Sequence, residues 1–167
     1  MMAGRTASRA CRNQGVQCMV DRGVEIGPGS IRVGRFIGRL GVVPMPAIGR
    51  GLGLVDRVVR RHVAKLEKVG WCARASAVRG EGMLVWMTAT GLDRVGLGQL
   101  PAPRAPNRFS PQTMRGVRVA WAAADIEHAG HRWIAGRELA LAPDGWGDSS
   151  GGWGWCQCRR SSMVWGW

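Results

Sequence analysis

Apolar residues recur with a helical period through the middle of the chain and lose any period at both ends. Val33, Phe36, Ile37 and Leu40 fall at i, i+3, i+4 and i+7, the spacing of one buried helix face. Ser30 stands at a capping position and Gly41 closes the run, which predicts a first helix at 30–40. Gly34 and Gly38 inside it weaken it by about 1 kcal/mol each relative to alanine. A shorter helix is expected at 46–51. The clearest period lies at 56–69. There Val58, Val59, Val63, Leu66 and Val69 share one arc with His62, and Arg57, Arg60, Arg61, Lys65 and Lys68 share the opposite arc. Asp56 is the expected N-cap. Lys68 in the last turn, Gly70 just past it and Trp71 folding back mark the end.

Two extended stretches follow, 72–78 and 83–87, joined by Arg79-Gly80-Glu81-Gly82, and together they predict a β-hairpin. Thr88 can cap a short helix holding Leu92 and Val95. Gly98 to Asn107, GQLPAPRAPN, carries three prolines and with the next two residues reads as a linker, 98–109. Ser110-Pro111 is an N-cap followed by proline at the first helical position. It opens a helix with Met114, Val117, Trp121 and Ala124 on one face, ending at Gly130. A short strand at 131–134 and a turn or short helix at 135–141 complete the pattern. The expected fold is mainly α with a small β-hairpin, plus a small incomplete α/β segment. It divides into a basic, loosely attached arm (1–29), a main domain (30–97), the linker, a remnant of a second domain (110–145) and a Trp/Gly-rich tail (146–167).

Charge changes this picture most. The 167 residues carry 24 Lys and Arg against 11 Asp and Glu, a net charge of +13. Lys65 and Lys68 are the only lysines. The net charge is +6 on residues 1–53 and falls to +1 on the last 22. So basic a chain implies an acidic partner, nucleic acid or membrane surface. The Arg-, Gly- and Ala-rich usage also matches translation of a GC-rich genome. No apolar run approaches a membrane span, and no secretory core segment is present. The first twenty residues, rich in Arg, Ala and Ser, share their composition with organellar transit peptides and with any basic tail. Their arginines could touch a DNA backbone or minor groove, a solvated tail being the plainer reading. Five cysteines, an odd number without framework spacing, read as reduced and the chain as cytoplasmic.

Other chemistry is thin. Neither a phosphate-loop nor a dinucleotide fingerprint occurs. Cys156 and Cys158 with His128 and His131 do not have zinc-finger spacing. His131 near Arg137 and Glu138 lacks a nucleophile, and ordinary solvated side chains explain the group better. No metal, cofactor or catalytic residue is expected. What remains is the cationic face of 56–69. Ile48, Leu52, Gly53 and Leu54 precede Val59 at the spacing of a helix-turn-helix, in which a short helix ends at a glycine and an apolar residue packs between the helices. In this reading Arg57, Arg60 and Arg61 enter the major groove or its rim, and Lys65, Lys68, Arg74 and Arg79 hold phosphates. The partner is double-stranded DNA, and a homodimer is compatible with it.

The run VRRHVAKLEKVGW, the ribbon after it and Met87-Thr88-Ala89-Thr90-Gly91 resemble winged helix-turn-helix proteins, whose recognition helix is followed by a wing and a Leu-Thr-x-x-Gly close. SPQTMRGVRVAWAAADIEHAGHRWIAGREL, with Pro143-Asp144-Gly145, resembles the bacterial replication-relaxation family, common on actinobacterial plasmids. The likeness spans residues 31–145 and implies a DNA-binding role in transcription or plasmid replication. Val55, Gly49 and Gly116 depart from the family pattern. That family's second domain implies a nuclease-like carboxylate set. Asp144 matches its first member, no Glu-x-Lys follows, and one carboxylate cannot both hold a hard metal ion and activate water. The resemblance therefore implies an inactive, truncated second domain, with the tail as degraded or out-of-frame coding. A protein-interaction module presenting the apolar face of an added helix, Met114–Ala129, is the alternative.

Overall fold

The computed structural model describes residues 19–21, 23–76, 82–107 and 110–141, with two short paired strands, β6 (Cys156–Gln157) and β7 (Val164–Trp165). The elements run β1 (Met19–Asp21), β2 (Val24–Ile26), α1 (Pro28–Leu40), β3 (Val42–Pro44), α2 (Met45–Leu52), α3 (Asp56–Lys68), β4 (Cys72–Ser76), β5 (Met83–Met87), α4 (Ala89–Arg94), α5 (Pro111–His128) and α6 (Gly136–Leu139). The fold is mainly helical with a small three-stranded antiparallel sheet, in the order β3-β5-β4. No helix among the described residues is long and apolar enough to cross a membrane.

The period-3.6 faces become one core. Val33, Phe36 and Ile37 of α1, Ala47 and Ile48 of α2, and Val59, Val63 and Leu66 of α3 are buried together with Val85 and Met87 of β5. α2 ends at Gly53, which is left-handed (φ 64°), and the Leu54 N–H donates to the Gly49 carbonyl at 2.8 Å. α3 ends as its sequence indicates. Gly70 takes φ 76°, the Trp71 N–H returns to the Leu66 carbonyl at 2.9 Å, and the Trp71 ring is fully buried. Thr88 then joins the end of the hairpin to this turn. Its hydroxyl is 2.8 Å from the Gly70 carbonyl, its N–H donates to the Trp71 carbonyl at 3.0 Å, and it caps α4 by accepting from the Gly91 N–H at 3.1 Å.

Several expectations are corrected. α1 begins at Pro28, so Ser30 lies within the helix and does not cap it. It is buried, with its hydroxyl 2.9 Å from His62 Nδ1. Gly34 and Gly38 are close-approach positions as well as weak helix formers. A Cβ at Gly34 would meet Val95 at 2.9 Å, and one at Gly38 would meet Leu97 at 2.8 Å. Asp56 is the first residue of α3 rather than its cap. Val55 occupies the cap position and offers no side-chain acceptor. Residues 24–29 belong to the packed body instead of a loose arm, since Ile26 is fully buried. The expected strand at 131–134 is absent, because that stretch has no regular partner.

Residues 110–141 are not a separate remnant, and the described part of them contains no strand. α5 begins at the expected Ser110 cap and crosses α2 and β3, placing Ala120, Ala123 and Ala124 in the common core. Between α5 and α6, Trp133 sits edge-on to Phe36 at 6.2 Å and donates its indole N–H to Glu127 at 2.6 Å. Arg39 lies 4.1 Å over the same ring and grips Glu138 through two bonds of 2.9 and 3.0 Å. Glu138 and Arg137 are therefore structural clasps, and the Arg137 guanidinium donates to the Gly38 carbonyl. Cys72 is buried, and burial, with Glu67 adding to it, pushes its thiol up to about 12. No buried side-chain polar atom among the described residues lacks a partner.

At Gly91 a Cβ would lie 1.9 Å from the Trp71 carbonyl oxygen. Gly91→Ala is expected to lower stability by about 3 kcal/mol in urea unfolding. Gly116 of α5 has only the Val42 carbonyl oxygen within reach, at 4.0 Å. Gly116→Ala should raise stability by about 0.5–1 kcal/mol in the same assay. Equal effects at the two sites would contradict the packing described.

Candidate nucleic-acid interface

α3 turns Val59, Val63 and Leu66 into the core, which leaves Arg57, Arg60, Arg61, Ala64, Lys65 and Lys68 exposed. The five expected cations do lie on the outer face, but their partners divide them. Arg60 bonds Asp56 one turn back at 2.7 Å. Lys65 stands 3.4 Å from the Glu25 carbonyl of β2. Arg57, Arg61 and Lys68 have no ion pair or hydrogen bond to another described side chain. On a 3.6-residue wheel these three fall within about 40° of one another and span about 16 Å of helix axis. They form one cationic stripe that is free of partners among the described residues.

The flanks of the stripe differ. Asp56, Arg60 and Glu67 lie along one edge, and Arg74 on β4 reaches across to Glu67 at 3.0 Å. The expected phosphate ligand Arg74 is thus tied to an acid, at a half-exposed site where such a pair contributes only about 0.2–1 kcal/mol. Arg79 lies outside the described residues, as does most of the connection between β4 and β5. Asp144 and Cys158 also lie outside them, and His128 and His131 are exposed. No cluster among the described residues could hold a metal ion.

Helix-surface neighbours of like charge cost about 0.2–0.5 kcal/mol each. Arg57 with Arg61, and Arg61 with Lys65, are such i, i+4 pairs. No acid in the free stripe offsets them, so an external anion is the group that would.

Two features of the site are not singled out by the charge pattern. Ala64 sits in the middle of the free stripe and is exposed. A small residue there lets a large ligand approach the helix backbone between the long cationic side chains, and the same wheel that found the cations contains it. The second is the support behind the stripe. His62, expected as a hydrogen-bonded core histidine, bridges α3 to Ser30 of α1. Burial, then the nearby charges of Arg61 and Lys65, hold its imidazole below the ordinary 6.5.

No family model, no curated protein and no solved structure matches this chain.

The His62 environment predicts a pH dependence with a definite sign. The unfolded chain takes up the proton first, so stability is complete above about pH 6.5 and declines as the pH falls from there through the depressed folded value. Urea midpoints measured between about pH 5 and 7 should fall with acid, and His62→Gln should flatten that segment. An unchanged slope in the variant would assign the effect elsewhere.

Proposed function

We propose that the chain binds duplex DNA through α3 and serves in transcriptional or plasmid replication control. The observation that carries this reading is the free stripe of Arg57, Arg61 and Lys68 on an exposed helix whose opposite face is anchored in the core. A helix with one such face fits the B-form major groove, about 12 Å wide, whereas the deep, narrow groove of A-form RNA does not admit it.

The finer fold assignment belongs with this reading. The order α1-β3-α2-α3-β4-β5, with β5 central in the sheet, supports reading the fold as a winged helix. The segment joining β4 to β5, which contains Arg79, would be the wing. Arg57 and Arg61 are the candidates for base edges, and Lys68, Lys65, Arg74 and Arg79 for phosphates. Arg60, held by Asp56, becomes a rim contact that must first exchange partners. Kinship with the replication-relaxation family rests on the residues quoted for it, and no catalysis is proposed.

The interaction-module alternative asked for a free apolar face on α5. Val117, Ala120, Ala123 and Ala124 of that face are buried, and α5 packs against α2 and β3.

The test is a salt titration of binding to a labelled 30-base-pair duplex. Each phosphate that a cation neutralises contributes about 0.9 to the log–log slope. Arg57→Ala/Arg61→Ala/Lys68→Ala should therefore reduce that slope by up to about 2.7, with an unchanged circular dichroism spectrum. A slope equal to that of the unaltered chain would overturn the assignment of the surface.

A further inference from the structure

The outer side of α1 carries Arg32, Arg35 and Arg39 at i, i+3 and i+7, so the three stand along one edge of the helix. Ile31 and Phe36 lie beside them, and Leu52 joins from the end of α2. Phe36 and Leu52 are buried and give the place an apolar floor. These side chains line a groove of about 390 Å³, and Glu127 of α5 is the one acid on its wall. The volume falls in the range of small-molecule sites, which combine apolar walls with a few convergent polar groups.

The three guanidiniums are not equally free. Arg39 is clasped by Glu138 and stacked on Trp133, and Glu127 accepts from the indole N–H of the same Trp133 at 2.6 Å. The acid of the groove and its committed arginine therefore share the Trp133 end. Arg35 uses its Nε on the Val95 carbonyl at 2.9 Å, and its terminal nitrogens have no partner among the described residues. Arg32 is exposed and has no hydrogen bond or ion pair among the described residues. It stands about 10 Å along the axis from Arg39. That end of the groove offers donors without an acid to meet them.

We infer that this groove binds a small organic anion, a carboxylate or phosphate carried on an apolar ring. The anionic group meets Arg32 and Arg35, and the ring covers Ile31, Phe36 and Leu52. A guanidinium presents parallel N–H donors that match two oxygens of either group, and such charge-assisted bonds are about twice as strong as neutral ones. A wholly apolar ligand would take water from the guanidiniums without replacing it. The site shares no residue with the cationic stripe of α3 and does not depend on the reading of α3.

The experiment titrates the full chain in a calorimeter with 2-naphthoate, 2-naphthyl phosphate, neutral 2-naphthamide and inorganic phosphate. At least one naphthyl anion should bind saturably, about tenfold or more tighter than the amide, with inorganic phosphate weaker than that anion. The two naphthyl anions, set side by side, report which group the site prefers. Arg32→Gln removes a side chain that holds nothing in the fold, so it should keep the unfolding curve and erase most of the preference for the anion. Arg118→Gln, at an exposed cation of α5 outside the groove, should leave that preference intact. Equal affinity for anion and amide, or equal losses in the two variants, would overturn the inference. So would inorganic phosphate binding as tightly as the naphthyl anion, or no saturable binding of either naphthyl anion up to about 1 mM.

Discussion

The junction of Gly70, Trp71, Thr88 and Gly91 governs how the rest of the molecule is arranged. Four chain directions meet there: the end of α3, the start of β4, the end of β5 and the start of α4. Thr88 serves three partners at once, its hydroxyl facing the turn after α3 and the Gly91 amide while its own amide holds the Trp71 carbonyl. The buried Trp71 ring fills the space beneath, and Gly91 has no side chain because the Trp71 carbonyl occupies that volume. The hairpin cannot pivot against α3 without breaking several of these bonds together. The row of cations on α3 is thereby held in a fixed orientation to the sheet.

Charge is arranged in tiers around this frame. Arg39 and Arg137 are committed at part-buried sites to Glu138 and backbone carbonyls, and Arg50 pairs with Asp125 on the surface. Arg60 and Arg74 are held by acids on the flank of α3. Only part of the chain's large positive charge is then free to meet a partner, and on α3 it is concentrated in one narrow line. Net charge alone does not distinguish these tiers, whereas the ion pairs do.

Much of this was legible in the sequence. The face of Val59, Val63 and Leu66 pointed to α3, the Gly70-Trp71 ending to its stop, and Ser110-Pro111 to the start of α5, because periods and caps are local properties. The errors share a cause. Ser30 and Asp56 look like caps by residue type, yet Ser30 turned inward to His62 and Asp56 paired with Arg60. The choice depends on a partner 32 residues away in one case and one turn away in the other. The supposed second domain failed for the same reason. Its small alanines match α2, a fact that no window of sequence contains. The cations of the candidate site were found by pattern, but which of them are free was not, since pairing is tertiary.

The packing of α5 on α2 bears on how the chain reaches this state. Its alanines meet α2 near Gly51, where a Cβ would lie 2.8 Å from the Phe36 ring and 3.2 Å from the Ala124 backbone. The two helices are separated in sequence by α3, β4, β5 and α4. During synthesis, α2 emerges from the ribosome long before its cover does, and its apolar face must wait uncovered until residue 128 has been made. The amino-terminal core can form from near neighbours, whereas the contact of α5 with α2 joins residues 75 apart in sequence at Arg50 and Asp125. Because loop closure must precede so non-local a contact, docking of α5 is expected to follow the folding of nearer neighbours, with the α2 face uncovered in the interval.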